Sequence, residues 1–313
     1  MEVRSHKSKH YGWFALKVFI LAWAFWFLFQ KVTSLDPLSF DLLLREFQDA
    51  SIGLFILFLG LAIANWTFEI LKWQTLVSWI TPLSFKEAVQ QSLAALTVSL
   101  PTPNRLGDYG AKAFFFPAKQ RKKIIFLNFL GHSAQMTATL CFGICGWWFF
   151  PVKNTTIPIL PVFWVGLALL FIGAIMLYLY RKQIKILKGW RLDKAWSFFL
   201  KIPSRVKGWT LVYSFVRYVI FSTMFFGLLL FFGAEITIWN AFPMIAVMYL
   251  LTSIIPTFVI WDVVVKGGIA VWLFGLLGIP EMIVLTTVFT MWFLNMAIPA
   301  LIGTYFFLKI PVK

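Results

Sequence analysis

Apolar runs of about twenty residues recur along the chain, and they constrain its fold more than any other feature. A helix needs roughly 20 apolar residues to cross the hydrocarbon core of a bilayer. Runs of this kind predict about six spans, which cover Trp13–Gln30, Ser51–Lys72, Ile124–Phe150, Ile157–Tyr180, Trp209–Gly233 and Met282–Leu308. We therefore predict an all-α fold, a polytopic membrane protein with about six transmembrane helices.

The composition leaves little room for a soluble domain. Only 13% of the 313 residues are charged and 60% are hydrophobic, whereas a soluble domain carries about 25% charged residues. The sequence predicts a single transmembrane domain over 1–313, with one half at 1–150, a second half at 157–313, and a basic cytoplasmic loop at 181–208 within the second half. Aromatic residues alternate with bases in this loop, which fits either a short amphipathic helix on the inner leaflet or a solvated loop.

The net charge of +16 is concentrated in short loops between the apolar runs. This distribution follows the positive-inside rule and argues against nucleic acid as a partner. Arg4, Lys7 and Lys9 place the N-terminus in the cytoplasm. An even number of spans then returns the C-terminus, with Lys309 and Lys313, to the same side. We expect a multi-pass protein of the cell inner (cytoplasmic) membrane.

Two further apolar regions, 84–117 and 237–278, are interrupted by proline. The first region is broken at Pro101 and Pro103, and the second is broken near Pro256. Proline removes a backbone donor and disfavours helix in the residue before it. In hydrocarbon, a broken backbone persists only where it is buried in protein or lines a wet cavity. We interpret each region as a re-entrant helical hairpin, with two full crossings as the alternative.

The two broken regions share a pattern when their prolines are aligned. With a shift of one residue after the proline, both regions also contain the sequence Asp-x-x-x-Lys. The matched residues are Ala88 with Ala241, Pro103 with Pro256, Asp108 with Asp262 and Lys112 with Lys266. The first region begins and ends on the predicted cytoplasmic side and the second begins and ends outside. This arrangement predicts an inverted repeat, a transporter plan that places a site near the bilayer midplane.

Six charged residues lie in or beside apolar segments: Arg105, Asp108, Lys112, Arg217, Asp262 and Lys266. A charge at the centre of a membrane helix costs about 2.5–3.5 kcal/mol by insertion scales, so these groups must face one another, water or a polar ligand. One interpretation is that each aspartate forms an internal salt bridge with the lysine one helical turn later. The other is that all six are substrate-binding residues of a polar cleft, where Arg105, Lys112 and Lys266 hold a phosphate.

Further polar residues stand inside the predicted spans: Asn65, Glu69, Lys72, Asn128, His132, Gln135 and Asn295. Glu69 and Lys72 are three residues apart near a cytoplasmic helix end, which predicts a snorkelled ion pair, with a proton relay as the alternative. His132 is predicted to hydrogen-bond between helices. The sequence shows no metal-ligand cluster, P-loop or Ser-His-Asp set, so we predict no metal and no other cofactor.

Short motifs in the two broken regions carry a resemblance to a known family. They are Leu100–Asp108 (LPTPNRLGD), Ile255–Gly268 (IPTFVIWDVVVKGG) and Leu276–Pro280 (LLGIP). They resemble the transmembrane region of the lysylphosphatidylglycerol synthase family, whose members are flippase-like integral membrane proteins. The resemblance covers nearly the whole chain and implies a multi-span inner-membrane protein. In the second motif Asp262 and Lys266 stand in place of the commoner Glu and Arg.

The resemblance implies that the protein transports or binds a lipid. Some family members also carry a soluble aminoacyl-transferase domain, which is not expected within 1–313, so synthase activity is not implied. The first hypothesis is a flippase-like transporter or binder of an anionic or polyprenyl-linked membrane lipid. One alternative is a membrane-embedded enzyme that modifies a lipid headgroup, with His132, Asp108 and Glu69 as candidate acids and bases. Another is a scaffold subunit for a partner synthase.

Overall fold

The computed structural model describes residues 52–102, 105–151, 185–187, 190–254 and 259–308, and at 185–187, 190–192 and 259–264 it describes the backbone alone. The predicted spans Trp13–Gln30 and Ile157–Tyr180 lie outside these residues. So do both termini, which were predicted to be cytoplasmic, and the prolines Pro103 and Pro256.

The described residues are almost entirely helical. The helices are α1 (Ile52–Ser78), α2 (Phe85–Ser99), α3 (Leu106–Phe114), α4 (Arg121–Trp148), α5 (Leu192–Lys201), α6 (Ser204–Phe231), α7 (Ile238–Ile254), α8 (Val259–Gly275), α9 (Glu281–Trp292) and α10 (Ile298–Leu308). A π-helical turn, Phe293–Ala297, joins α9 to α10. Two short antiparallel strands, β1 (Lys185–Leu187) and β2 (Trp190–Arg191), precede α5.

Among the described residues, three helical segments are long and apolar enough to cross a membrane. They are α1, α6 and the continuous segment Glu281–Leu308, and they match three of the predicted spans. The chain is therefore a membrane protein. A fourth helix, α4, has 28 residues and overlaps the predicted span Ile124–Phe150, but it is not among the segments that are apolar enough to cross a membrane, so this span stays a prediction.

Each of the two proline-broken regions contains a pair of helices, as predicted. In the first region α2 begins with a capping box, in which the Ser84 hydroxyl accepts from the Glu87 amide and the Glu87 carboxylate accepts from the Ser84 amide. The chain then turns before α3, where Arg105 has a φ of 56°. In this turn the Thr102 hydroxyl accepts a hydrogen bond from the Gly107 amide at 2.9 Å. The corresponding helices of the second region are α7 and α8.

The helices of the broken regions pack against long helices from the other half of the chain. α2 packs against α10, and α7 packs against α4. Glycine permits both contacts. A Cβ at Gly303 would collide with the Leu93 carbonyl oxygen, and a Cβ at Gly146 would lie 2.9 Å from the Pro243 carbonyl oxygen. Because these neighbours are backbone atoms, neither position accepts a larger side chain without a shift of the helices.

The largest apolar core lies around α6 and is built with α1, α7, α8 and α9. The helix α5, which lies in the predicted basic loop, is amphipathic. Its Phe198 contacts Trp79 and Phe126, with ring centroids 5.2 and 5.5 Å apart, while Trp196 and Leu200 remain exposed. The structure thus has a short amphipathic helix in this loop; that the helix lies on the inner leaflet stays a prediction.

Candidate functional site

A polar stripe runs along α1, which is otherwise an apolar helix. Asn65, Glu69 and Lys72 are spaced four and three residues apart, so they lie on one face, and all three are buried. Buried polar groups need partners in the protein. The partners of this stripe are the Glu69–Lys72 pair itself, Arg217 of α6 and Asn295 of the π-helical turn.

The carboxylate of Glu69 is shared by two cations. Its Oε2 accepts from Lys72 Nζ at 2.7 Å and from Arg217 Nη1 at 2.5 Å. Arg217 Nε donates to Asn65 Oδ1 at 3.0 Å, and Gln135 Oε1 lies 3.5 Å from Nη1. One carboxylate therefore serves two positive charges at the interface of α1 and α6.

A second group of polar side chains is centred on Asp108 of α3. Its Oδ2 accepts from Asn128 Nδ2 at 2.6 Å and from Lys112 Nζ at 3.3 Å, and it lies 2.9 Å from His132 Nε2. His132 also stacks at a tilt on Tyr109, with ring centroids 5.3 Å apart. The prediction that His132 hydrogen-bonds between helices is confirmed, since it joins α4 to α3.

Lys112 already has three partners. Its Nζ contacts Asp108, donates to Asn128 Oδ1 at 2.9 Å, and lies 4.6 Å from the centre of the Trp73 ring. The Trp73 indole is itself held by a hydrogen bond to Gln91 Oε1 at 2.8 Å. The Lys112 side chain is 3% exposed. The salt-bridge interpretation of Asp108 and Lys112 is therefore confirmed at the level of contacts.

The two groups meet beside Gly131 on α4. A Cβ at this glycine would lie 3.7 Å from the Lys72 side chain, and Gly131 stands between Asn128 and His132 in the helix. We call the combined set the charged cluster, and its members are Asn65, Glu69, Lys72, Asp108, Lys112, Asn128, His132, Gln135, Arg217 and Asn295. By formal charge, its side chains comprise three bases (Lys72, Lys112 and Arg217) and two acids (Glu69 and Asp108), so the cluster has a formal excess of one positive charge before His132 is counted.

The prediction for Glu69 and Lys72 was partly wrong. The ion pair exists, but Lys72 does not snorkel towards a membrane surface, because its side chain is 3% exposed. The reason is that α1 continues to Ser78, which leaves the pair well inside the helix. Arg217, whose partner the sequence did not reveal, completes the group.

The structure places the six predicted site residues on three separate helices and at one helix start. Asp108 and Lys112 lie on α3, Arg217 lies on α6, and Arg105 is half-buried at the N-terminal end of α3. Lys266 is half-buried on α8, and the side chain of Asp262 lies outside the described residues. That Asp262 and Lys266 share one site with Lys112 stays a prediction.

The donor set of the charged cluster suits an anion. Guanidinium, ammonium, imidazole and amide groups are the side chains that bind phosphate and carboxylate. In the part of the chain that the structure describes, no group of three His, Cys, Asp or Glu residues could hold a metal ion. Comparison with known proteins adds no assignment to this geometry, since no protein-family model and no curated protein matches the chain.

Proposed function

We propose that the chain binds an anionic lipid headgroup at the charged cluster and moves that lipid across the cytoplasmic membrane, as a flippase-like transporter. The observation that carries the proposal is the Glu69 carboxylate shared by Lys72 and Arg217. An excess charge in a buried site is unfavourable unless a counter-charge reaches it. A phosphate or similar headgroup supplies that counter-charge.

Arg217 and His132 are the groups of the cluster that meet the headgroup first. Their side chains are 19% and 37% exposed, whereas the Lys72 and Lys112 side chains are each 3% exposed. The two lysines therefore act through their charge, and the exposed donors make direct contact. Arg105 and Lys266, both half-buried, remain part of the proposed binding set.

Helix lengths support the re-entrant interpretation of the first broken region. With 15 and 9 residues, α2 and α3 extend about 22 and 14 Å at 1.5 Å per residue. The hydrocarbon core is about 30 Å thick, so neither helix is long enough for a full crossing. The helices of the second region have 17 residues each, about 26 Å, and are also short of that thickness.

The spacing of the helices supports an inverted repeat. The interval from Ser78 to Phe231, where α1 and α6 end, equals the interval from Phe85 to Ile238, where α2 and α7 begin. The aligned prolines are separated by the same interval. Matching the helices in this way pairs α1 with α6, α2 with α7, α3 with α8, and α4 with the segment Glu281–Leu308.

Contacts between helices in one half have counterparts between the matched helices of the other half. The contact of α2 with α10 corresponds to the contact of α7 with α4, and the contact of α3 with α4 corresponds to the contact of α8 with α9. α1 and α6, which exchange with each other, pack together. This reciprocity supports the proposal of a two-fold relation between the halves. The charged cluster lies beside the α1–α6 contact, and an inverted-repeat transporter has its site at the interface of the repeats.

Lipid binding by purified protein tests the proposal. Short-chain phosphatidylglycerol and phosphatidylcholine are titrated into detergent-solubilised protein, with binding followed by native mass spectrometry. We expect phosphatidylglycerol to bind more tightly, and Arg217→Gln to weaken it at least tenfold. Arg205→Gln is the matched control, since Arg205 is exposed near the start of the same helix. Equal binding of both lipids, or equal loss in both variants, would reject the proposal.

A lipid-modifying enzyme is the second candidate, and one contact favours it. The Asp108 carboxylate lies 2.9 Å from the imidazole of His132, whose side chain is more than a third exposed. An oriented imidazole of this kind can act as a general base. Conversion of a labelled phospholipid by the purified protein, lost in His132→Gln, would support this candidate over transport.

A further inference from the structure

The π-helical turn in the last long helix separates α9 from α10. Such turns are rare, and they are frequent at functional sites. This turn contains Asn295, which is buried and faces α1. Two residues of α1 contact it directly: Trp66 Nε1 donates to the Asn295 carbonyl oxygen at 3.0 Å, and Asn65 Nδ2 donates to Asn295 Oδ1 at 2.7 Å.

These contacts continue into the charged cluster without interruption. The Asn65 amide donates to Asn295 through its nitrogen and accepts from Arg217 Nε through its oxygen, at 3.0 Å. Asn295 Nδ2 is held in turn by the Met291 carbonyl oxygen at 3.1 Å. The orientation of both amides is thereby fixed, since each nitrogen faces an acceptor and each oxygen faces a donor.

We propose that Asn295 is a positioning residue for the anion site, which orients Arg217 by way of Asn65. The identity of the ligand rests on the proposed function, whereas the hydrogen bonds from Asn295 through Asn65 to Arg217 do not depend on it. If the Asn295 oxygen were absent, the Asn65 nitrogen would lose its acceptor and the amide could turn. A turned amide would present a donor to the guanidinium, and the Arg217 side chain would lose one of its fixed contacts.

The π-helical turn gives a physical reason for the position of Asn295. A π-helical turn contains one extra residue and so shifts the side chains that follow it, and the Asn295 carbonyl lacks its regular helical donor because the residue four positions later is Pro299, which has no N–H. Here the Asn295 carbonyl accepts from the Trp66 indole. The turn is thus tied to α1 by a backbone contact and a side-chain contact, at the level of the Glu69–Arg217 pair.

Variants of Asn295 test the positioning role. Asn295→Leu keeps the approximate size but removes the acceptor, whereas Asn295→Gln keeps an amide oxygen for Asn65 and adds no charge to the cluster. We expect Asn295→Leu to weaken binding of short-chain phosphatidylglycerol about three- to tenfold, the range of a lost hydrogen bond, and Asn295→Gln to stay within about twofold of the unmodified protein. Thr287→Val is the control, because the buried Thr287 hydroxyl bonds only within its own helix in the described structure.

A double variant separates positioning from a general loss of structure. In the Arg217→Gln background, Asn295→Leu should cause no further loss of binding, because the residue that it orients is already gone. Binding by Asn295→Leu equal to that of the unmodified protein would overturn the proposal. A full additional loss in the double variant would overturn it as well.

A second measurement does not require a bound lipid. In protein made with isotope-labelled arginine, Arg217→Lys identifies the Nε–H resonance of Arg217 by its disappearance. We expect Asn295→Leu to speed hydrogen exchange at this group, and Asn295→Gln to leave exchange slow. Unchanged exchange in Asn295→Leu rejects the positioning role. If the unmodified protein does not bind phosphatidylglycerol but Asn295→Leu still exchanges faster, the proposed function is rejected and the positioning role is kept.

Discussion

Arg217 Nη1 donates to Glu69 Oε2 across the contact of α1 and α6, and the two residues lie 148 positions apart in the chain. Lys72 binds the same oxygen. Removal of the carboxylate leaves the buried Lys72 and the half-buried Arg217 side by side as two cations, whereas removal of one cation leaves a neutral pair. The three residues therefore differ in their expected effects on stability and on anion binding.

Glu69→Gln is expected to lower the free energy of unfolding by about 3 kcal/mol, the size found when one partner of a buried ion pair is removed. The same change increases the excess positive charge, so phosphatidylglycerol should raise the Tm of the variant more than that of the unmodified protein. Thermal denaturation with and without the lipid measures both effects. Glu235→Gln, at an exposed position, should change neither.

Lys112→Met is expected to destabilise the protein by about 3 kcal/mol, because Asp108 would remain buried without its cation. The double variant Lys112→Met with Asp108→Asn should recover much of this loss, since it removes both charges. A thermal double-mutant cycle measures the coupling. Additive losses would show that the two side chains act independently.

The helix positions were predictable from the sequence to a larger degree than the site. The first broken region was predicted to begin at residue 84, and α2 does begin directly after Ser84, whose hydroxyl satisfies a free amide at the helix start. Apolar length likewise predicted α1, α6 and the last long helix. These features depend on neighbours in the chain.

The charged cluster depends on contacts between distant segments, and local pattern does not encode them. Glu69 was paired correctly with Lys72, three residues away, but its contact with Arg217 required the packing of α1 on α6. The contact of Asn65 with Asn295 joins residues 230 positions apart. The π-helical turn was not predicted either, because Asn295 and Pro299 in that apolar run do not by themselves specify one.

Gly303→Ala and Gly146→Ala are each expected to destabilise the protein by about 1–3 kcal/mol through overpacking. A methyl group at Gly303 would meet the backbone of α2, and one at Gly146 would meet the backbone of α7. Similar losses at both positions would agree with the reciprocal packing of the halves. Gly110→Ala is the control, because a Cβ there has nothing within 4 Å among the described residues.

Arg105→Gly separates the conformation of Arg105 from its charge. The positive φ of 56° at this position is adopted by glycine more easily than by arginine, so the variant should fold with unchanged or slightly higher Tm. If the guanidinium belongs to the anion site, phosphatidylglycerol binding should nevertheless fall about tenfold, as for loss of a charge-assisted hydrogen bond. Unchanged binding would remove Arg105 from the site.

Labelling of single cysteines tests the re-entrant hairpin. In a background with Cys141 and Cys145 replaced by alanine, Leu106→Cys places a thiol at an exposed position at the start of α3. A re-entrant tip lies within the membrane, so a bulky impermeant maleimide added outside right-side-out vesicles should not reach it. Lys119→Cys, on the predicted cytoplasmic side, and Glu235→Cys, on the predicted outer side, calibrate the two faces. If Leu106→Cys were labelled from outside as fast as Glu235→Cys, α2 would have to cross the membrane. The length of α2 argues against that outcome, because its 15 residues extend only about 22 Å and the hydrocarbon core is about 30 Å thick.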